Sequence, residues 1–464
     1  MILWKLSQAI KRRRDTLKLT PEAREIRNLA RFRELVSFVQ KTSPWYRRVI
    51  EQHRIDPTRC RPEDFPVLTS SMLRENFDDI VTDRAITSKG LESFIKKSPS
   101  SKDLYLGQYN VVLSSGSSGI PGIYVHTTDE VINGMSYGAL HRQIKPWTRT
   151  SFIGPLDTHD MGAAVMGLMD SWPQRLLFNT RNFSISSPWP HIVSGLNEHQ
   201  PKIISAYKHY LMALADEAQA GRLNIRPILL ESGGEPLFPQ EREILRSTFQ
   251  CEIANSYGSS EVNLMGVALN DWEGIYLFED DLMFEFGSES TCVTNLFNKT
   301  MPLIRYRFDD ILIPVDVPNP RLPFRVVSER IGRSQELITF QTGDGNERKL
   351  RTVFFDDGVD LSGVKRVQFE KRGPDTLAVH VTLVEDSQLQ KLSGVKHAED
   401  KIDQLKRSIR QHLDDNALNN VHLNVSMVNY DSAQPESRIV KDGRKEKLLV
   451  QSRLPAQSDD LHQR

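Results

Sequence analysis

Four serines and two glycines fall between residues 114 and 119, in the run Leu113-Ser114-Ser115-Gly116-Ser117-Ser118-Gly119-Ile120-Pro121-Gly122. Extended-looking runs flank it, residues 109–113 before and 123–125 after. Such a loop can surround a polyanion with backbone N–H groups and hydroxyls. Glycine adopts positive φ there and lets a phosphate approach the main chain. No Gly-Lys-Ser/Thr closes the run, so it is not a Walker A loop. A flexible Gly/Ser linker is the plainer reading, and the flanking strands argue against it.

Six further groups carry potential chemistry. Ser232-Gly233-Gly234-Glu235-Pro236 follows the buried-strand pattern of residues 227–231. Turns at the carboxyl ends of strands line ligand crevices in α/β sheets. Asn255-Ser256-Tyr257-Gly258-Ser259-Ser260-Glu261 joins an aromatic ring, hydroxyls and a carboxylate. The ring can stack on a planar base, and the carboxylate can hold a divalent cation that bridges phosphates. Its plainer reading is a solvated loop that caps a helix. In Pro302-Leu303-Ile304-Arg305-Tyr306-Arg307-Phe308-Asp309-Asp310-Ile311, strand alternation predicts Arg305 and Arg307 on one face. An aspartate there is a good acceptor for a ribose diol. Arg330-Ile331-Gly332-Arg333-Ser334-Gln335 suits a hinge, and residues 441–447 form a basic cluster that alone reads as a solvated charge run. His159 and Asp160, in Asp157-Thr158-His159-Asp160-Met161-Gly162, are candidates to line a substrate pocket, although a structural histidine is the commoner outcome.

The elements that must position these groups are visible as patterns. Thr20-Pro21-Glu22 opens a helix whose stripe is Ile26, Leu29, Phe32, Leu35, Val36 and Val39. Ser43-Pro44 ends it and caps the next, and the first hundred residues read as mostly helical. Thr127-Thr128-Asp129-Glu130 is a capping box that predicts a helix to about Arg142. Strands and helices then alternate to residue 249, as α/β layering requires. After Tyr257 the composition shifts toward short strands broken by prolines. From about Ser334 a ββαβ order begins, with an amphipathic helix over residues 399–413. The tail after Leu454 is polar.

The chain has 464 residues, enough for roughly two to four domains. Sixty basic and sixty acidic residues balance, so net charge does not point to nucleic acid. Cys60, Cys251 and Cys292 are far apart, with no metal-binding spacing, and suggest a reducing, cytoplasmic setting. No apolar run is long enough to be transmembrane. Residues 1–14 place an apolar head before Lys11-Arg12-Arg13-Arg14, the reverse of a signal peptide, and read as a solvated basic helix ahead of a membrane-surface one.

Taken in order, these motifs resemble the adenylate-forming superfamily of acyl-CoA synthetases, and more closely its phenylacetate–CoA ligase family. The runs Ser43-Pro44-Trp45-Tyr46, Pro66-Val67-Leu68-Thr69 and Leu73-Arg74-Glu75-Asn76-Phe77 are similar too. The resemblance covers about residues 44–447. It implies an α/β fold with a large multi-sheet N-terminal adenylation domain, residues 1–333. A small mobile α+β lid would follow over 334–454, with a disordered tail at 455–464. It implies an acid–thiol ligase that uses ATP, Mg²⁺ and coenzyme A on a carboxylic acid, an aromatic one by family. By the same resemblance, Ser114, Ser115, Gly116, Ser117, Ser118 and Gly119 hold the ATP phosphates. Gly233, Gly234 and Glu235 lie along adenine and Tyr257 stacks on it. Ser260 meets the α-phosphate, Glu261 the Mg²⁺, and Asp310 the ribose with Arg333 assisting. Lys445 is the mobile catalytic lysine, with Lys447 the alternative. The chain departs from the family at Phe308-Asp309, at Gln335 and over Leu337-Ile338-Thr339-Phe340-Gln341, which belongs to the thioester-forming half. Two alternatives stand beside this reading. One passes the acyl group to an amine or a carrier protein; the other is a nucleotide-binding regulatory protein without turnover.

Overall fold

Thr20 caps the long helix α2 (Pro21–Thr42) through its hydroxyl, which accepts from Ala23 N–H at 3.2 Å. α1 (Ile2–Thr16) precedes it and α3 (Pro44–Gln52), α4 (Ser70–Glu75), α5 (Phe77–Ile80) and α6 (Ser88–Lys97) follow. The computed structural model describes residues 2–98, 100, 102–114, 122–142, 145, 147–170, 179–234, 237–270, 274–287, 290–308, 310–328, 332–333, 337–342, 347–351, 364–373, 375–383, 389–390, 393–415, 418–428 and 441–442. The chain divides into two units, Met1–Ile331 and Gly332–Arg464.

In the first unit, Phe32, Leu35, Val36 and Val39 of α2 are fully buried. Each contributes about 1.5–3 kcal/mol by leaving water. The predicted stripe fails at its start, since Ile26 is 72% exposed. Arg24 and Asn28 occupy the buried positions instead, donating to Pro323 O and Glu279 O, each at 2.6 Å. The helix therefore begins on a polar seat and turns apolar after one full turn.

A small antiparallel sheet comprises β1 (Leu104–Tyr105), β2 (Tyr109–Leu113) and β3 (Ile123–Thr127), with Leu113 opposite Ile123. The predicted capping box is present: Glu130 N–H donates to Thr127 Oγ1, and Thr127 N–H to Glu130. It opens α7 (Thr128–Met135), shorter than predicted because a 3₁₀ turn over Ser136–Leu140 succeeds it.

The main sheet is built on parallel strands β4 (Arg149–Gly154), β7 (Ile203–Ala206), β8 (Leu229–Gly233) and β9 (Glu252–Ser259). Two short strands, β5 (Asn179–Thr180) and β6 (Phe183–Ser184), pair with β4. α8 (Met161–Asp170), α9 (Trp189–His199), α10 (Lys208–Gln219) and α11 (Pro239–Phe249) connect them. On the other side of β9 the sheet turns antiparallel, through β10 (Asn263–Ala268) and β11 (Ile275–Leu277). A third sheet holds β12 (Leu282–Phe286), β13 (Thr291–Asn295) and β14 (Tyr306–Phe308), followed in the chain by β15 (Asp310–Ile311), β16 (Pro314–Val315) and β17 (Val326–Val327). β16 and β17 extend the main sheet beyond β11.

Arg305 does not share a strand face with Arg307. It precedes β14 at φ +49°, pairs with Glu285 at 2.8 Å and donates to Phe65 O at 2.7 Å. The basic N-terminal helix is solvated at Lys11, Arg12 and Arg14, as expected, but not at Arg13. Arg13 is 1% exposed, its guanidinium 3.7 Å over the Tyr137 ring and bonded to Asn133, Ser136 and Asp281. No described helix is long and apolar enough to cross a membrane.

The second unit has a short strand β18 (Gly332–Arg333), the hairpin β19 (Leu337–Gln341) and β20 (Glu347–Arg351), and then the ββαβ order. β21 (Val364–Lys371) and β22 (Thr376–Leu383) are antiparallel. α12 (Ala398–Asp415) buries Ile402, Leu405, Ile409 and Leu413 in one core with Leu377, Val379 and Val381. β23 (His422–Met427) returns parallel to β22, and β24 (Lys441–Asp442) lies parallel to β21.

Candidate active site

The Ser/Gly run begins at a closed neck. Ser114 N–H donates to Gly122 O at 3.0 Å, and Gly122 N–H donates back to Ser114 Oγ at 2.8 Å. A side chain at Gly122 would collide with the Tyr124 hydroxyl at 2.6 Å, so glycine is required where the chain leaves the loop. Ser115, Gly116, Ser117, Ser118 and Gly119 lie outside the described residues, as do Glu235, Lys445, Lys447 and the side chain of Arg333.

The turn after β9 is bonded to this hairpin on both strands. Ser260 Oγ donates to Leu113 O at 3.0 Å. His126 Nε2 donates to Ser260 O at 3.0 Å, while Asn298 Nδ2 donates to His126 Nδ1 at 3.3 Å and fixes that tautomer. Burial lowers the pKa of His126 and keeps it neutral. Two residues earlier on β3, Tyr124 OH donates to Glu261 Oε1 at 2.9 Å, with Tyr306 OH 3.2 Å away. Burial pushes Glu261 above the usual carboxylate range, and the charge of Asp310 adds to this. The bonds it receives from its own N–H, Tyr124 and Ser259 only partly offset the effect. Residues 255–261 thus do not cap a helix: β9 runs to Ser259, held by β8 on one side and β10 on the other.

Tyr257 OH donates to Asp310 Oδ2 at 2.9 Å, which joins the third motif to the fourth. Gly233 ends β8, and Gly234 turns at φ +75°. A Cβ on Gly234 would meet the Tyr207 ring at 2.8 Å, so both conformation and contact require glycine. All of these groups gather where the parallel strands of the main sheet end, the position at which α/β sheets hold ligands.

His159 is buried with both ring nitrogens engaged, Nδ1 3.0 Å from Val111 O and Nε2 2.9 Å from Ser98 O. It buttresses β2, as a structural histidine does. Asp160 accepts from Gly162 N–H at 2.7 Å at the start of α8, and Tyr207 OH lies 3.5 Å from its other oxygen. Burial raises its pKa.

Sequence reasoning passed over Tyr124, His126 and Tyr306. The available signal was Tyr124-x-His126, two polar aromatic side chains on one face of the strand that leaves the loop. It also passed over a buried cluster around Glu231. Ser256 Oγ donates to Glu231 Oε1 at 2.6 Å, Ser205 Oγ to Oε2 at 3.1 Å, and Arg142 forms an ion pair with it. His141 Nε2 lies 3.3 Å from Oε1. Among the described residues no group of three or more His, Cys, Asp or Glu side chains could hold a metal by itself.

No protein-family model and no curated protein matches the chain. Solved structures do. 2-Hydroxyisobutyryl-CoA ligase in the postadenylation state, in complex with R3-HIB-AMP, superposes with a TM-score of 0.69 at 16% identity, covering 91% of each chain. An open conformation of that ligase with 2-HIB-AMP and CoA gives 0.58 at 15% identity, over 91% of this chain and 93% of the other. The same ligase in its thioesterification state gives 0.56 at 16% identity, over 88% and 87%. The fold of this chain is therefore that of the adenylate-forming enzymes.

Proposed function

We propose that the protein activates a carboxylic acid with ATP, forming an acyl-adenylate and pyrophosphate. The observation that carries this reading is the bonding of Ser260-Glu261 to both strands of the hairpin that holds the Ser/Gly loop. Tyr257 and Asp310 meet beside it at the carboxyl edge of the sheet. A phosphate-binding loop, a cation-binding carboxylate, a base-stacking ring and a ribose acceptor are thereby tied into one network.

In this reading the loop after Ser114 receives the β- and γ-phosphates. Tyr257 faces adenine, and Asp310 accepts the ribose hydroxyls. Glu261 fits a hard divalent cation: it is a partly buried carboxylate with one oxygen fixed by Tyr124 and a second carboxylate nearby. Bound there, Mg²⁺ would supply charge neutralisation at the phosphates. The acid's carboxylate oxygen forms a bond to the α-phosphorus, and the bond from that phosphorus to the pyrophosphate oxygen breaks. Negative charge builds on the α-phosphate oxygens, where fixed N–H donors and Lys445 would stabilise it. His126, by holding Ser260 O, sets the backbone of this turn. Coenzyme A is the acceptor we propose for the acyl group. The fold shared with a ligase solved in its thioesterification state with CoA supports that choice. The phenylacetate–CoA ligase relationship and an aromatic acid remain part of the proposal at the level of motif resemblance.

The test is ATP–pyrophosphate exchange over a panel of aromatic and aliphatic acids, with Glu261→Gln and Lys445→Ala alongside and CoA added afterwards. Acid-dependent exchange that collapses in both variants supports the reading. ATP binding with no exchange for any acid would overturn it in favour of a regulatory protein.

A further inference from the structure

The cluster around Glu231 is built at the edge where the acid would lie. Strand alternation puts Glu231 and Gly233 on one face of β8, and register sets Ser205 of β7 beside Glu231 and Ser256 of β9 beside Gly233. Ser256 is the residue before Tyr257, so this face of β9 stands back to back with the one assigned to adenine. Gly233 adds no side chain above Glu231, and a Cβ there would make only ordinary contact, 3.7 Å from Ser256. A side chain at 233 would therefore meet Ser256 without a clash, at the carboxyl edge of the sheet.

Glu231 is 3% exposed and fully engaged by Ser256, Ser205, His141 and Arg142. Burial pushes its carboxyl up, but Arg142, His141 and Ser256 more than offset this and hold it well below the usual carboxylate range. Its partners retain unused capacity. The Arg142 side chain is 30% exposed, and its Nε–H is buried with no acceptor among the described residues. His141, itself buried, turns Nε2 to Glu231, and its Nδ1 has no partner among the described residues. Gly138 permits this pose, because a Cβ there would press on Arg142 Cδ at 3.3 Å. A pocket for a plain hydrocarbon or unsubstituted ring has no use for a buried ion pair, which is commonly no more stabilising than apolar side chains of the same volume.

We infer that the activated acid carries a second oxygen function (hydroxyl, carbonyl or a further carboxylate), received by Arg142 with Glu231 as its anchor. The inference rests on the acid-activation reading above. A site built to hydrogen-bond a substrate oxygen rejects the analogue lacking it, since its own polar groups are then left unpaired.

The test is exchange kinetics on matched acids: butyrate against 3-hydroxybutyrate, acetoacetate and succinate, and phenylacetate against 4-hydroxyphenylacetate. The parent protein is expected to favour at least one oxygenated member over its plain partner by about tenfold or more in kcat/KM. The three C4 acids separate hydroxyl, carbonyl and carboxylate. Arg142→Met alone would strand a buried carboxylate, so the informative variant is Arg142→Met with Glu231→Gln, checked for folding by thermal melting. In that double variant the preference should fall to about one while exchange with the plain acid persists. Because the readout is a ratio within each protein, partial loss of folded enzyme cancels. Equal use of plain and oxygenated acids by the parent protein, or a preference unchanged in the double variant, overturns the inference and leaves acid activation standing. Exchange with no acid of either series overturns the activation reading and this inference with it.

Discussion

Asp281 is a buried carboxylate and Glu261 a partly buried one, and their surroundings are opposite. Burial pushes Asp281 up, but Arg13, Arg31 and Arg12 more than offset it and hold the group well below the usual carboxylate range. Arg13 also bonds to it directly, and Arg31 lies 2.7 Å from its other oxygen. Glu261 has a tyrosine hydroxyl at 2.9 Å and the repulsion of Asp310, and it sits above that range. A carboxylate ringed by arginines is a staple whose charge is already matched. A carboxylate left among tyrosines and another carboxylate is stabilised only when a cation arrives. The first fastens α1 and α2 to the β11–β12 connection, and the second faces the proposed phosphate site.

The largest effect that could break this contrast is on stability. Asp281→Asn leaves the buried Arg13 with only Asp280, 3.5 Å away, to offset its charge, and should cost about 3–5 kcal/mol in urea unfolding. The pH sign follows from the depressed folded-state value. Stability from the charged Asp281 is present above its unfolded-state pKa and is lost as pH falls below the usual carboxylate range toward the folded value. The gap between parent and Asp281→Asn should therefore be full at neutral pH and shrink only in acid. A gap that stays constant down to strong acid would remove the ion pair as its cause.

Glu261→Gln should behave in the other way. It removes a partly buried charge with no cationic partner, so melting of the nucleotide-free protein should be unchanged or higher. Acid-dependent exchange should fall by about 10²–10³-fold, the loss typical of one electrostatic group at a transition state. A variant that instead melted far lower while exchange persisted would make Glu261 a second staple.

The sequence showed what is local. The Thr127–Glu130 capping box, the α2 cap, the positive-φ glycine at 234 and the ββαβ order of the second unit all follow from residues within a few positions of one another. β9 was hidden because Asn255, Ser256, Gly258 and Ser259 are weak strand formers, and pairing on both sides overrides that preference. The site motifs could be listed, but not their bonding. His126 meets Ser260 across 134 positions, and Arg13 meets Asp281 across 268. In Lys11-Arg12-Arg13-Arg14 nothing local marks Arg13 as the one that the fold buries against Asp280-Asp281 while its three neighbours stay exposed. Glu231 likewise read as the end of a buried strand, because its partners lie 25 to 90 residues away.

A smaller effect sharpens the same contrast within the active-site half. Tyr124→Phe keeps the ring over Gly122 and deletes the hydroxyl between Glu261 and Tyr306. Stability should change by about 1 kcal/mol. Exchange should drop mainly through the concentration of Mg²⁺ needed for half-maximal rate, because the fixed oxygen of Glu261 is released. A fall in rate at saturating Mg²⁺, with that concentration unmoved, would place the hydroxyl's contribution outside cation binding.

The smallest effect tests burial with chemistry held nearly constant. Lys5 also lies on α1 and also pairs with an aspartate, its Nζ 2.6 Å from Asp129 Oδ1, but the two side chains are 30% and 54% exposed. Water already solvates both charges and salt screens them, so Lys5→Ala should cost no more than about 1 kcal/mol in urea unfolding at low salt. That cost should vanish at about 1 M salt, where the Debye length is near 3 Å. The deficit of Asp281→Asn should survive the same salt, since ions do not reach a pair that is 1% and 3% exposed. If both deficits faded together, α1 would be held by the summed basic charge of residues 11–14, and the distinction between a buried staple and a surface pair would not describe this helix.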